Sequence, residues 1–168
     1  MTCYEKKGVT FEFSVKHRLQ SLEHIIIISQ FPIFSFALRR LTLLDLLVLV
    51  NGHVIVLELK GFSSQLEGNY SDRHWTGTSY RRNYQVFNPI IQVKEKTRSL
   101  QRGFRERGLK INGFVWDSYI VVPDTCRTLA DSSIVKSEEE IALIVGKLAW
   151  CCSKPNESLI KTLLTGAV

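Results

Sequence analysis

The stretch whose reading decides the fold is Leu43-Leu44-Asp45-Leu46-Leu47-Val48-Leu49-Val50, then Asn51-Gly52, then His53-Val54-Ile55-Val56-Leu57-Glu58-Leu59-Lys60. Asn-Gly between two β-rich runs is the preferred pair for a two-residue type I′ turn, in which both central residues take positive φ. Both runs are apolar at odd and even positions alike. A hairpin with two apolar faces belongs in the middle of a sheet, with helices covering it on each side.

The turn fixes the register. With Val50 facing His53, every cross-strand pair has numbers of equal sum, so Asp45 falls opposite Glu58 with both side chains on one face. Alternation from the turn makes this a non-hydrogen-bonded pair, with Cα atoms about 4.5 Å apart. Lys60 lies on the same face, diagonal to Asp45 at roughly 7 to 8 Å, within reach of a long side chain. Leu43, Leu47, Leu49, Val54 and Val56 are expected to share that face. Facing carboxylates repel by about 4 kcal/mol at 4 Å and an effective dielectric near 20. Lys60, a shared proton or a bridging divalent cation can each offset that repulsion. The plainer alternative is a surface ion pair of Asp45 with Lys60 beside a solvated Glu58. An otherwise apolar face argues against it, because charge clustered at the end of such a face more often marks a site.

Outward from the hairpin, Phe11, Val15, Leu19 and Leu22 recur at helical spacing and predict a helix over 10–23. Ile25 to Ile28 reads as a short strand whose extension Pro32 limits, and residues 31–40 stay ambiguous. Residues 61–87 turn polar and irregular, with room for one or two short strands. Asn88-Pro89 supplies an N-cap and an N1 proline for a helix to about Phe104, with Val93, Thr97, Leu100 and Phe104 facing inward. Phe114 to Val122 reads as a buried strand closed by Pro123. Ser137-Glu138-Glu139-Glu140 is a capping box opening a last helix to Trp150. This order implies an α/β fold, a mixed sheet sandwiched between helices, in one domain over residues 1–168.

Twenty-two Lys and Arg against 16 Asp and Glu leave a formal charge of +6, which favours a polyanionic partner. Cys3, Cys126, Cys151 and Cys152 form no Cys-x-x-Cys pair, and neither a zinc site nor a disulfide framework is expected. No signal peptide or membrane span is read, so a cytoplasmic protein without a membrane partner is expected. The four histidines are dispersed, without metal spacing. Arg73, Arg81 and Arg82, with Trp75, Tyr80 and Tyr84, populate the polar segment. Lys94, Lys96, Arg98 and Arg102 are read as the outer face of the helix from Asn88. Together they suit a nucleic-acid surface, basic groups on phosphates and aromatics on unpaired bases.

Asp45 followed by Glu58-Leu59-Lys60 resembles the motif of the PD-(D/E)XK, restriction-endonuclease-like nucleases. Gly8-x-x-Phe11-Glu12, the apolar strand bearing Asp45, Glu58-x-Lys60-Gly61, a tryptophan-bearing segment and Asn88-Pro89-x-x-Gln92 together resemble the nuclease-related domain, NERD. The resemblance implies a restriction-endonuclease-like α/β/α sandwich and a nuclease acting on DNA; the residues do not separate DNA from RNA. It implies Mg²⁺, with Mn²⁺ able to substitute, on Asp45, Glu58 and the Leu59 carbonyl. Lys60 would position or activate the attacking water, Glu12 would complete the acidic site and Gln92 would approach from one side. Leu44 stands where the superfamily has proline, and Lys96 where many relatives with Gln-x-x-x-Tyr carry tyrosine. A homodimer and a separate helicase or kinase-like partner are compatible with the resemblance. The alternative is a catalytically silent nucleic-acid-binding module of the same fold.

Overall fold

A computed structural model describes residues 3–36, 39–61, 64–79, 82–108, 111–128 and 133–150. The hairpin forms as its sequence requires. Strands β2 (Arg40–Val50) and β3 (His53–Leu59) are antiparallel, with Val50 opposite His53, and the turn has φ of 47° at Asn51 and 73° at Gly52. Both lie in the region that type I′ demands. β1 (Ile26–Ser35) pairs antiparallel with β2, while β7 (Val115–Val122) and β9 (Val135–Ser137) add parallel strands beyond β3. The sheet is therefore mixed, in the order β1-β2-β3-β7-β9, with the hairpin inside it.

Its two faces carry separate cores. Leu47, Leu49, Val54 and Val56 pack with Ile90, Val93, Leu100 and Phe104 of helix α2 (Pro89–Glu106). Leu46, Val48, Val50, Ile55 and Leu57 pack with Phe11, Val15 and Leu19 of α1 (Cys3–Gln20) and Ile141 and Val145 of α3 (Glu138–Trp150). The result is the α/β/α sandwich expected. No helix among the described residues is long and apolar enough to cross a membrane. The Cys126 thiol is free.

Four local expectations need correction. α1 begins at Cys3 rather than near residue 10, because residues 3–9 carry no apolar stripe to announce it. β1 runs through Pro32 to Ser35; among the described residues it is an outer strand with one neighbour, so proline's missing N–H can fall on the side away from β2. Leu43 does not share the Asp45 face: it is half exposed, and Leu44 packs against Leu47 and Leu49 instead. The polar segment after the hairpin, expected to have room for one or two short strands, carries three. It holds β4 (Gln65–Glu67), β5 (His74–Ser79) and β6 (Arg82–Phe87), which join β8 (Arg127–Thr128) in a second sheet ordered β6-β5-β4-β8. Leu66, Trp75 and, in part, Val86 turn inward there, too few apolar residues to mark three strands by alternation.

Asn88 ties this second layer to α2. Its Oδ1 caps the helix by accepting from the N–H of Ile90 and Ile91 at 2.9 and 3.4 Å. Its Nδ2 donates to the carbonyls of Asn69, Tyr70 and Asp72. The capping box also forms: Ser137 N–H donates to Glu140 and Glu140 N–H to Ser137 Oγ.

Candidate active site

At Asp45 the main sheet opens on both sides. The β2–β3 ladder stops at Leu46 with Leu57, and the next pair in the same register would be Asp45 with Glu58. There Leu59 N–H donates to Asp45 Oδ2 at 2.8 Å, so a side chain replaces the backbone acceptor. On the other side, β1 and β2 pair at Ser29 with Leu46 and at Phe31 with Leu44, skipping Gln30 and Asp45. Gln30 has φ of 53°, a left-handed conformation uncommon for a residue with a side chain. This break shifts the alternation of both strands by one residue, which is why Leu44 points inward.

Glu58 is 2% exposed, a depth at which a carboxylate needs partners. Among the described residues it has two: Lys60 Nζ lies 2.8 Å from Oε1 and Lys96 Nζ 2.5 Å from Oε2. Lys96 Nζ is also 3.8 Å from Asp45 Oδ1, and Lys60 Nζ donates to Gln92 Oε1 at 3.1 Å. Asp45, Lys96, Glu58, Lys60 and Gln92 thus form one chain of contacts with two negative and two positive groups. Burial first, and the Glu58 charge second, push the Asp45 carboxyl up from 3.8 to about 6. Lys96, the Leu59 N–H and Lys60 pull it down without cancelling that rise.

The structure thus brings together four of the residues read from the sequence, Asp45, Glu58, Lys60 and Gln92. The reach of Lys60 needs correcting: its ammonium sits on Glu58 and Gln92, rather than bridging diagonally to Asp45. Glu12 stands aside. Its carboxylate accepts from Gln30 Nε2 at 2.9 and 2.8 Å, bracing the residue that faces Asp45 across the break in β1. Gly61 explains why α1 comes so near: a Cβ there would lie 2.5 Å from Phe11 Cβ, so only glycine lets Phe11 press against the end of β3.

Lys96 is the main correction. Read as an outer-face phosphate contact, it is 8% exposed and lies between the carboxylates. The signal was in the spacing: Lys96 follows Gln92 by four residues, one helical turn, and flanks the buried Val93, Thr97 and Leu100. Gln30 left no such trace in the sequence.

Of the remaining basic residues, Lys94 is half-buried and Arg98 and Arg102 are exposed. Arg73 and Arg82 are exposed, and Arg81 lies outside the described residues. Lys94 reaches the Tyr70 ring and hydroxyl, Arg98 pairs with Glu95, and Arg102 pairs with Glu106 while stacking over Phe36. Trp75 does not serve base stacking: it is buried, its Nε1–H donates to the Asn69 carbonyl, and Gly68 presses on its ring. Tyr80 lies outside the described residues.

As a cation site, the pocket offers hard oxygens of the kind a divalent ion prefers. Among the described residues no third His, Cys, Asp or Glu converges on it, so a backbone carbonyl such as that of Leu59 and waters would have to complete the shell. The donor set fits Mg²⁺ or Mn²⁺ on condition that Lys96 leaves the gap it fills. The family model of the nuclease-related domain matches residues 7–123, from α1 to the end of β7, and the chain belongs to that family. No curated protein and no solved structure matches it.

Proposed function

We propose that this chain is a nuclease that hydrolyses phosphodiester bonds of DNA with Mg²⁺, or Mn²⁺ in its place, held by Asp45, Glu58 and the Leu59 carbonyl. The observation that carries the reading is the placement of Asp45 and Glu58 on adjacent central strands with Lys60 fixed beside them, in a nuclease-related domain. Such an ion, when bound, lowers the pKa of a coordinated water and neutralises charge growing on the phosphoryl oxygens. Glu58 and Gln92 hold the Lys60 ammonium in one place, where it can orient the attacking water and donate toward the developing oxyanion. Gln92 acts through Lys60. Glu12 acts at one remove, through Gln30.

A catalytically silent nucleic-acid-binding module is favoured by one observation: Lys96 already supplies a cation between the carboxylates. Incubating the purified protein with linear, circular and single-stranded DNA in Mg²⁺, Mn²⁺ or EDTA, beside Asp45→Ala and Lys60→Ala, separates the two. Cleavage that needs the metal and disappears in both variants is expected. Cleavage surviving both substitutions would refute the site, and binding without cleavage would favour the module.

A further inference from the structure

We propose that Lys96 is a tethered cation holding the bridging position between Asp45 and Glu58, and that a divalent ion enters only by displacing it. The inference rests on reading the two carboxylates as the metal site.

A lone ammonium at 8% exposure would cost several kcal/mol in lost hydration. Lys96 tolerates that depth because its Nζ meets Glu58 Oε2 at 2.5 Å and Asp45 Oδ1 at 3.8 Å. Those two oxygens face the gap. The other two are engaged elsewhere, Asp45 Oδ2 by Leu59 N–H and Glu58 Oε1 by Lys60. Mg²⁺ would need its oxygens about 2.0 to 2.1 Å away, so ion and ammonium could not share the gap. Lys60 is not the competitor, since it lies on the far oxygen of Glu58 and is held there by Gln92. Lysine suits a displaceable role: its charge ends a flexible four-carbon stem, unlike the planar fork of arginine. Metal-free, the site is neutral and closed; metal-bound, it gains a mobile ammonium beside the ion. Apparent metal affinity is therefore lowered by the occupancy of the gap by Lys96.

Two readouts test this without reference to cleavage. The first is Mn²⁺ binding, followed by calorimetry or by the paramagnetic resonance of the free ion, in the full chain and in Lys96→Met, which keeps the stem and removes the charge. Lys96→Met is expected to bind Mn²⁺ at least about tenfold tighter and, metal-free, to melt at a lower temperature that Mn²⁺ restores. The second uses the unaltered protein, which removes any doubt about the variant's folding. Acetylation of each lysine is measured by mass spectrometry with and without Mn²⁺. Lys96 should be protected in the absence of metal and become severalfold more reactive when it is bound, with Lys60 changing less.

Mn²⁺ binding to the unaltered protein with Lys96 reactivity unchanged overturns the displacement and leaves the metal site standing. Equal or weaker Mn²⁺ binding by a folded Lys96→Met does the same. Failure of both proteins to bind Mn²⁺ overturns the metal reading and the displacement together.

Discussion

Asp45 and Glu58 carry the same charge in one pocket, yet their neutral variants should shift stability in opposite directions. Asp45 has its carboxyl pushed up to about 6, first by burial and then by Glu58. A folded-state pKa above the unfolded value means that the protonated acid favours the fold; that contribution is complete below about pH 4 and is lost as pH rises through about 6. Asp45→Asn is neutral throughout and can still accept from Leu59 N–H. At about pH 8 it should be more stable than the unaltered protein by on the order of 2 to 3 kcal/mol, with the gap closing near pH 4. Urea unfolding at the two pH values measures this, and no gain at pH 8 would contradict the strained pair. Glu58→Gln should instead cost about 3 to 5 kcal/mol at neutral pH, because it leaves two inward-facing ammoniums without their common anion. Turn arithmetic made Asp45, Glu58 and Lys60 legible in the sequence. Lys96 was missed because a lysine on a helix is ordinarily assigned to solvent, although its phase put it inside. Gln30 was illegible, because a positive φ at a non-glycine residue has no compositional mark.

At the scale of elements, the sequence showed the hairpin, α2 and β7 clearly, since each combines a strong apolar period with turn or cap chemistry. The second sheet was hidden because short strands with one or two inward residues lack a period. Asn88 ties that sheet to α2 beside the buried Leu66 and Trp75, and its substitution should break the ordinary ranking of N-caps, in which Asp equals Asn. Here the Oδ1 side caps α2, while Nδ2 serves the carbonyls of Asn69, Tyr70 and Asp72 at a fully buried position. Asn88→Asp keeps the cap but turns a carboxylate toward three carbonyl oxygens. It should cost about 3 kcal/mol or more, exceeding Asn88→Ser, which loses the donors without adding charge. Denaturant unfolding ranks the two, and hydrogen exchange should show residues 69–72 opening before the main sheet. Equal stability of Asn88→Asp and the unaltered protein would mean that the donor side of Asn88 is not what holds the layer.

For the whole molecule, the question is how a chain of net charge +6 would present a polyanion to a pocket that is itself electrically balanced. α2 offers a route, because it carries Gln92 and Lys96 into the site while the half-buried Lys94 and the exposed Arg98 and Arg102 lie on its other side. Arg98 and Arg102 are paired with Glu95 and Glu106 along the helix, and both pairs are exposed. Pairs of that kind contribute about 0.3 to 0.5 kcal/mol, so exchanging their carboxylates for phosphates is cheap. Each phosphate neutralised on duplex DNA adds about 0.9 to the slope of log affinity against log salt concentration. If α2 tracks the backbone, replacing Lys94, Arg98 and Arg102 together by glutamine should flatten that slope by about 2 to 3. It should weaken binding similarly on unrelated sequences, since phosphate contacts carry no base information. Titrating fluorescent duplexes from about 50 to 200 mM salt measures both effects, with Mn²⁺ binding as a control that the pocket is intact. An unchanged slope with normal Mn²⁺ binding would remove α2 from the nucleic-acid surface and leave Arg73 and Arg82, on the second sheet's side of the molecule, as the residues to neutralise next.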